Sequence, residues 1–568
     1  MTKKTKKLYI LFIFIISLMF AYPLFSNHIY FGHDITFHLN RIVGIADAFR
    51  DGQIMPSIYP YTNNGYGYAA PLFYCDLFIY PFAILYILNV PLVICYKIMI
   101  VFYAFIGNFL MFICLKKIFK NDGFAIIIGL IFYCFGNYRL IDAFTRSAFS
   151  EYLGLTFAPL VILSMYYVLY LKKDKYILLS LSFSLLLFAH NLTFILYCFL
   201  YFILLLFFIA ENIKNKNAIK KMIITNIKAV FLALIMCSWY LVPMIEQMFS
   251  QELFINTTSK LYSIKYGVNP KTFLYPILTI DYVGYTNIIG LPVIITSFIG
   301  MREIIKNKNL FKLFIIILFL ISAMIGIIPL YKINFLNLIQ YSFRWEILLY
   351  MLFVILIASI VHKMEKSKGI YLICLMAFFI IYSSFNYQFD LLKDERRIDN
   401  FATAETLYDF SNINAKENTL QIGMGEFLPL TYENDYLHDS TAIKKVIDKY
   451  GSEDIIYDYK RQFTSLNFKY DSKTNDILML PLTYYKGYSA YAIKDNKKVR
   501  VQCTKIPVYS KLGIETVDGI AEYYVEYTGT FLQHVSLAIS MISFVWIIFK
   551  VKNERTINNE KENFICQR

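Results

Sequence analysis

The chain has 568 residues, of which 58% are hydrophobic and 17% are charged, and its mean hydropathy is +0.51. Soluble domains carry charge on nearer a quarter of their residues, so this composition excludes an ordinary soluble protein and indicates a polytopic membrane protein. The net charge of +15 does not indicate nucleic-acid binding, because the lysines form short clusters between apolar runs, as cytoplasmic loops do. The nine cysteines show no CxxC or Cys/His ligand spacing, so we expect neither a disulfide framework nor a zinc site.

Apolar runs of membrane-spanning length recur along the chain, and we count about 12 of them. The first run follows MTKKTKK, is long, and has no small-residue cleavage site after it, so we interpret it as a retained span and not as a signal peptide. The predicted spans are 8–27, 92–115, 123–141, 152–171, 176–193, 194–211, 222–248, 284–301, 310–330, 345–361, 369–385 and 531–550.

The segment 71–90 is apolar, but Pro71, Asp76 and Pro81 interrupt it. If this segment lies along the outer interface, most lysine clusters fall on the cytoplasmic side together with both termini. If it crosses, every later cluster moves outside. The positive-inside rule therefore favours the interfacial position, which places the polar segments around Asp34, 138–154 and 331–345 on the outer face.

The sequence predicts an all-α polytopic membrane protein with a C-terminal extracytoplasmic β-rich (α+β) domain. Residues 487–511 and 521–529 alternate in the manner of strands, which indicates the β-rich part. The predicted parts are a transmembrane domain at 1–385 with a first outer loop at 28–91, a soluble extracytoplasmic domain at 386–530, and a final span with a cytoplasmic tail at 531–568.

Asp34, in the stretch HDITFH, lies at the start of a predicted amphipathic helix from Ile35 to Arg50. One interpretation is that its carboxylate only caps this helix. The other is that it is a catalytic base or a metal ligand near the outer membrane surface, since a carboxylate beside a bilayer is costly without a task. His38 lies one turn further on the same side and favours the second interpretation.

Arg146 and Glu151 flank the sequence SAFS in an outer loop between two spans. An arginine in such a loop can bind a phosphate through two parallel hydrogen bonds, although a salt bridge to Glu151 that closes the loop is the alternative. Arg344, in QYSFRW, is a second cation near the membrane surface. It can likewise be interpreted in two ways, either as a phosphate ligand or as the partner of a nearby acid.

Four further polar residues are candidates for substrate binding, and each also has a structural interpretation. The pair His190 and Asn191 interrupts a long apolar run at the outer end of a helical hairpin, where it could be no more than a polar turn. The tyrosine of WYLVPMIE could be an ordinary interfacial aromatic. The candidates are His190, Asn191, Tyr240 and Gln340.

Several stretches together resemble a known pattern: HDITFHLNRI, RSAFSEYLGLTFAPLVIL, LLFAHNLTFIL, WYLVPMIE and IQYSFRWEILLY. The pattern is that of the GT-C superfamily of membrane glycosyltransferases. More narrowly, the chain is similar to the bacterial YfhO family, also described as membrane proteins related to 6-pyruvoyl-tetrahydropterin synthase. The strand-rich C-terminal part resembles the outer domain of that family, so the resemblance covers most of the chain.

The resemblance implies sugar transfer from a polyprenyl-phosphate donor to an extracytoplasmic glycan or glycolipid acceptor. The expected partners are therefore this donor, this acceptor and the membrane lipid, and no nucleic acid is expected. By position, Asp34 matches the acid of the first outer loop and would be the base, with His38 and Glu151 as further catalytic candidates. Arg146 and Arg344 would bind the donor phosphate. Many GT-C enzymes carry paired acids where this chain has His-Asp, so a divalent metal stays an open question and no other cofactor is expected.

Two other classes of protein share part of this pattern. A transporter or flippase for lipid-linked sugars would need ionisable residues at mid-membrane depth, for which Lys97 is the clearest candidate, and some inverted repeat, which we do not find. A non-catalytic assembly protein would use its outer domain to bind a polymer or a partner. A polymerase or ligase of envelope polymers is closely related to such a glycosyltransferase, and the sequence does not distinguish the two.

Overall fold

The structure is a computed structural model, and the description below covers the following residues: 3–63, 65–120, 122–255, 268–270, 289–364, 369–402, 425–430, 447–448, 459–472, 476–506 and 510–566. The helices in chain order are α1 Lys3–Phe20, α2 Ile35–Arg50, α3 Ala70–Phe73, α4 Tyr80–Ile87, α5 Leu92–Phe119, α6 Gly123–Phe135, α7 Asn137–Ala143, α8 Phe149–Met165, α9 Tyr176–Ala189, α10 Asn191–Glu211, α11 Lys216–Ser250, α12 Leu291–Ile299, α13 Met301–Lys306, α14 Lys308–Met324, α15 Glu346–Lys363, α16 Gly369–Lys393 and α17 Phe531–Cys566.

Short helical turns of other types join these helices: Tyr22–Phe25, Tyr166–Tyr170, Leu330–Lys332, Asn334–Ile339 and Ser342–Trp345. The strands are β1 His28–Tyr30, β2 Arg397–Asp399, β3 Ile447–Asp448, β4 Tyr459–Gln462, β5 Ser465–Ser472, β6 Ile477–Thr483, β7 Tyr488–Lys494, β8 Lys497–Val501, β9 Cys503–Ile506, β10 Lys511–Glu515 and β11 Gly519–Tyr527.

Seven helices in the described part of the chain are long and apolar enough to cross a membrane. The consecutive helices α6 and α7 meet at an angle of 40° and make an eighth if the pair is one broken span. The seven candidate spans are Leu92–Phe119, Phe149–Tyr170, Asn191–Glu211, Lys216–Ser250, Ser342–Lys363, Gly369–Lys393 and Phe531–Lys552.

The predicted count of twelve spans is therefore not confirmed. The predicted spans 176–193 and 310–330 correspond to α9 with 14 residues and α14 with 17, whereas about 20 residues are needed to cross a bilayer. The run at 8–27 is only partly helical, because α1 ends at Phe20. Of the predicted span 284–301, residues 284–288 lie outside the described residues, and the helix α12 that follows has 9 residues.

The segment 71–90 contains two short helices, α3 with 4 residues and α4 with 8. Neither is long enough to cross a bilayer. This agrees with the prediction that the segment does not span the membrane.

Burial separates the central helices of the bundle from the peripheral ones. The most apolar windows of the spans Phe149–Tyr170 and Ser342–Lys363 are 78% and 83% buried inside the protein, whereas that of Phe531–Lys552 is only 28% buried. A helix that is apolar all round belongs either in a core or against lipid, so the first two lie at the centre and the last faces lipid. Small residues allow close packing at the centre: a Cβ on Gly129 would lie 2.8 Å from the side chain of Leu115.

The C-terminal region forms two antiparallel sheets with the strand orders β3-β6-β10-β9 and β4-β5-β11-β7-β8. The strands β7, β8, β9 and β11 lie in the stretches whose alternation predicted them, and burial alternates from residue to residue along most of β7 and β11. The helix α16 continues to Lys393, past the predicted start of this region at 386.

The C-terminal sheets rest on the polar segment 28–91, which we call the first loop. Arg461 donates a hydrogen bond of 2.6 Å to the carbonyl oxygen of Pro60. The backbone N–H of Thr483 donates to the carbonyl oxygen of Tyr66 at 2.7 Å, and its hydroxyl donates to that of Gly67 at 2.9 Å. The sheets and the first loop therefore lie on the same side of the helical bundle.

Candidate functional site

Asp34 precedes the first residue of α2, as the sequence predicts, but its side chain makes no capping hydrogen bond to the helix. The side chain is exposed to solvent. The carboxylate is therefore not occupied by the structural task that the capping interpretation gives it.

The backbone around Asp34 is fixed against the loop that carries Arg146. The N–H of Asp34 donates to the carbonyl oxygen of Arg146 at 2.9 Å, and the N–H of His33 donates to that of Thr145 at 3.2 Å. A Cβ on Gly32 would collide with the side chain of Ser147, so only glycine allows this close approach. These contacts bring the two outer loops of the sequence prediction together at one place.

The electrostatic surroundings of Asp34 change the pKa of its carboxyl. Desolvation by the surrounding protein raises the pKa of the Asp34 carboxyl, and the positive charges of Arg146, His33 and Arg344 act against this rise. The same desolvation lowers the pKa of His33. An accessible carboxylate with a raised pKa beside two arginines fits the role of a general base better than that of an ordinary surface charge.

Arg146 and Glu151 form the buried salt bridge that the sequence analysis gave as the alternative to phosphate binding. The Nη1 and Nη2 atoms of Arg146 donate to the two carboxylate oxygens of Glu151 at 2.9 and 3.1 Å, and Nη1 also pairs with Asp142. The hydroxyl of Tyr138 donates to the same carboxylate. Glu151 is thus heavily occupied, and Arg146 holds it in place.

Arg344 approaches the same carboxylate from the other side. Its Nε lies 3.6 Å from Oε2 of Glu151, while its Nη1 donates to Oε1 of Gln340 at 2.5 Å and to the carbonyl oxygen of Ile339 at 3.1 Å. Nε itself has no hydrogen-bond partner among the described residues. Arg344 therefore has a looser acidic partner than Arg146, which pairs closely with both Glu151 and Asp142.

His38 lies apart from this cluster in a buried network. Its Nδ1 is 3.3 Å from Nη1 of Arg41, which also donates to the hydroxyl of Ser150 at 3.1 Å. Arg41 forms an ion pair of 2.8 Å with Asp76, and the hydroxyl of Tyr59 donates to that carboxylate. Burial holds the pKa of His38 well below its ordinary value, so this imidazole is neutral and its proton is not exposed to a substrate.

Sequence reasoning did not single out Arg41. The signal that could have found it is its position three residues after His38, among the apolar residues of an amphipathic helix, where an isolated cation needs a partner. Its neighbour Ser150 directly precedes Glu151, so this buried network reaches the charged cluster around Arg146.

His190, Asn191 and Tyr240 lie in two different settings. His190 is close enough to Glu151 and Arg344 to feel their charges, and burial lowers its pKa to about 4. The amide of Asn191 and the hydroxyl of Tyr240 instead donate to the carbonyl oxygen of Phe73 at 3.0 and 2.5 Å. Asn191 and Tyr240 thus anchor the first loop to the bundle.

Within the described residues, no group of three or more His, Cys, Asp or Glu side chains is arranged to hold a metal ion. The nearest acid to Asp34 in charge interactions is Glu151, whose oxygens already accept from two arginine nitrogens and a tyrosine. This donor set does not fit the paired acids that the GT-C resemblance implies for a metal.

The family of the chain follows from a sequence match that covers residues 68–390. The matching family is described as "6-pyruvoyl-tetrahydropterin synthase related domain; membrane protein". The chain belongs to this family. The family match includes Arg146, Glu151, His190 and Arg344, whereas Asp34 precedes it.

A relative extends the similarity beyond the residues that define the family. A protein of Lactococcus lactis subsp. cremoris (strain MG1363), described as an uncharacterized protein, is 23% identical over 543 residues, which cover 87% of this chain and 86% of the relative. No solved structure matches the chain. The family description agrees with the membrane protein that composition predicts.

Proposed function

We propose that this protein is a membrane glycosyltransferase that transfers a sugar from a polyprenyl-phosphate donor to an extracytoplasmic glycan or glycolipid acceptor. One observation carries the proposal: the Asp34 carboxylate is accessible, does not cap its helix, and is held by its backbone N–H against the loop of Arg146, where the positive charges of Arg146 and Arg344 act on it. A base and a phosphate-binding cation are the two groups that this reaction needs.

The reaction is a single displacement at the anomeric carbon. Asp34 takes the proton of the acceptor hydroxyl while the acceptor oxygen forms its bond to the anomeric carbon. The bond between that carbon and the phosphate oxygen breaks, and polyprenyl phosphate leaves with the electron pair. Because there is one displacement and no covalent enzyme intermediate, the configuration at the anomeric carbon inverts.

The two arginines have different tasks in this scheme. Arg344, whose side chain is 13% exposed and lies beside Glu151, binds the donor phosphate and stabilises the negative charge that develops on it. Arg146 positions Glu151, which in turn faces Arg344. The apolar helix α4 of the first loop and the neighbouring spans provide the surface for the polyprenyl chain.

The transporter alternative loses its clearest candidate residue. Lys97 donates a hydrogen bond of 2.7 Å to the carbonyl oxygen of Ser26, in the turn that follows α1. It lies near the first turns of α5, so it does not provide the unpaired charge at mid-membrane depth that substrate translocation requires.

The test uses the purified full-length protein in lipid nanodiscs with radiolabelled polyprenyl-phosphate hexoses and isolated cell-envelope glycans as acceptors. Release of polyprenyl phosphate and transfer of label are measured together. We expect Asp34→Asn to keep donor binding but to lower transfer by roughly 100-fold or more, the usual worth of a general base.

The matched control is Asp47→Asn, an acid of the same loop whose partner Arg50 is on the surface. Its transfer rate should stay close to that of the wild type. Near-normal transfer by Asp34→Asn would assign the base to another carboxylate, with Glu151 next. No release from any donor in the panel would contradict glycosyl transfer itself.

A further inference from the structure

A cavity of about 200 Å³ lies between the first loop, the end of α11 and the start of α17. Its volume is below the roughly 300–1,000 Å³ of pockets for drug-sized ligands, so it has room for one ring with its substituents. The residues that line it are Gln53, Met55, Pro56, Ser57, Ile58, Pro71, Leu72, Asp76, Tyr80, Trp239, Tyr240, Pro243, Thr464, Tyr527, Thr528, Gly529, Gln533, His534 and Leu537.

Aromatic side chains from three separate parts of the chain line this cavity. Tyr80 comes from the first loop, Trp239 and Tyr240 from α11, and Tyr527 from the last strand. Aromatic rings offer flat apolar faces with a polar handle at the edge. A pyranose ring has the matching chemistry, because its C–H bonds form apolar faces and its hydroxyl groups point outward around the rim.

Thr464, which also lines the cavity, carries a buried hydroxyl. The residue is 3% exposed, and its Oγ1 has no hydrogen-bond partner among the described residues. Buried polar atoms are almost always paired, so this hydroxyl is a group that a ligand in the cavity can complete after rotation about the Cα–Cβ bond. A sugar hydroxyl, which both donates and accepts, can fill this role.

The charges around the cavity favour an uncharged ligand. Among the described residues that line it, Asp76 is the one carboxylate, and no lysine or arginine is present. Asp76 is already neutralised by its ion pair with Arg41 and accepts from Tyr59 as well. A phosphate or a uronic acid would find no free cation here and would lie beside a carboxylate.

The cavity is connected to the proposed catalytic site by the buried network. Asp76 lines the cavity, its partner Arg41 contacts Ser150, and Ser150 precedes Glu151. We propose that this cavity binds an uncharged pyranose unit, and that the unit belongs to the acceptor, an assignment that rests on the proposed glycosyl transfer. The binding of the sugar itself does not depend on that reaction.

The test measures saturable changes in tryptophan emission of the full-length protein in nanodiscs. The probes are uncharged methyl pyranosides of glucose, galactose, N-acetylglucosamine and rhamnose, with methyl glucuronide and glucose 1-phosphate as charged counterparts. We expect at least one uncharged probe to change the emission, and the charged counterparts to bind at least about tenfold more weakly. The change should persist in Trp546→Phe, on the lipid side of α17, and disappear in Trp239→Phe.

Thr464→Val separates binding from folding, and calorimetry measures its affinity independently of the emission. Removing an unpartnered hydroxyl should leave thermal stability equal or higher, while the dissociation constant of the bound sugar rises about three- to tenfold. Ser465→Ala, a neighbour that does not line the cavity, is the matched control and should keep wild-type affinity. Equal affinity in Thr464→Val and wild type, or no binding of any uncharged probe, would overturn the proposal.

Failure of this proposal and failure of the proposed function give different results. Asp34→Asn should bind the sugar normally, because Asp34 does not line the cavity. Sugar binding without any turnover of polyprenyl-phosphate donors would leave a saccharide site on a protein of another activity. If the protein turns over donor but Thr464→Val does not raise the KM for the acceptor, the proposed glycosyl transfer is supported. The cavity is then not part of the acceptor site.

Discussion

The backbone N–H of Asp34 donates a 2.9 Å hydrogen bond to the carbonyl oxygen of Arg146. Together with the bond from His33 to Thr145, it joins the first loop to the loop between α7 and α8, which lies far from it in the sequence. It fixes the position of the accessible carboxylate relative to the Arg146–Glu151 salt bridge, so a displacement of either loop would displace the other. The proposed base and the charged cluster of Arg146, Arg344, Asp142 and Glu151 are thus held beside each other.

Substitutions of Arg146 and Arg344 should separate structural from functional roles. Arg146→Gln leaves Glu151 and Asp142 without their main cationic partner in a buried site, so we expect about 3–5 kcal/mol loss of stability. Arg344→Lys keeps a positive charge but loses the planar fork, so donor affinity should fall while stability changes little. Denaturation in detergent and donor binding to nanodiscs measure the two effects.

The two variants should therefore lose different properties, stability in Arg146→Gln and donor affinity in Arg344→Lys. Stable Arg146→Gln protein with weak donor binding would make Arg146 a phosphate ligand after all. Arg344→Lys with full donor affinity would remove the phosphate-binding role that we give to Arg344.

The start of α2 after Asp34 is confirmed because DITFHLNRI combines a residue type favoured before a helix with a helical apolar pattern, although the Asp34 side chain makes no capping bond. The predicted count of twelve spans is not confirmed among the described residues, because a short helix such as α9 packs inside the bundle with the same composition as a crossing helix. The pairing of Arg41 with Asp76 could not be predicted, since each is an isolated charge in its own stretch of sequence. Only the folded first loop brings the two side chains together.

The pH dependence of transfer should follow the ionisation of Asp34. A general base acts in its deprotonated form, so kcat/KM falls as the pH decreases through its pKa. Because desolvation raises the pKa of Asp34 above the ordinary aspartate value of 3.8, this fall should be centred at a higher pH than 3.8. A profile of kcat/KM against pH, corrected for protein that unfolds in acid, measures it, and a rate that stays constant down to pH 4 contradicts the assignment.

The orientation in the membrane can be tested with cysteine probes at exposed positions. Asn63 is unsuitable although it lies in the first loop, because it is fully buried. Ile54, in the same loop, is 72% exposed, and Asn496 lies in the exposed turn between β7 and β8. In a background without Cys374 and Cys503, an impermeant maleimide should label Ile54→Cys and Asn496→Cys in intact cells.

The counterpart on the side predicted to be cytoplasmic is Lys308→Cys at the start of α14, where the lysine side chain is 80% exposed. It should react only after the membrane is permeabilised. Labelling of Lys308→Cys in intact cells would reverse the orientation and place the first loop in the cytoplasm, where a polyprenyl-phosphate donor for extracytoplasmic transfer would not be reached.

The ion pair between Arg41 and Asp76 should be the most sensitive charge pair of the first loop. Both side chains are almost fully buried, with 2% and 4% exposed, so Asp76→Asn leaves a buried guanidinium without its counter-charge. We expect a loss of about 3–5 kcal/mol in the free energy of unfolding, measured by denaturation in detergent. Asp47→Asn breaks the exposed pair with Arg50 in the same loop and should cost less than about 1 kcal/mol.

A double substitution tests whether the stability lost in Asp76→Asn comes from an unpaired charge or from a change in packing. Arg41→Met combined with Asp76→Leu removes both charges, and similar volume without an unpaired charge should recover most of the stability that Asp76→Asn loses. Because the pair also holds Ser150 and His38, the double variant should be stable yet slower in transfer. If Asp76→Asn is as stable as Asp47→Asn, the guanidinium has another counter-charge and the network does not connect the cavity to Glu151 as described.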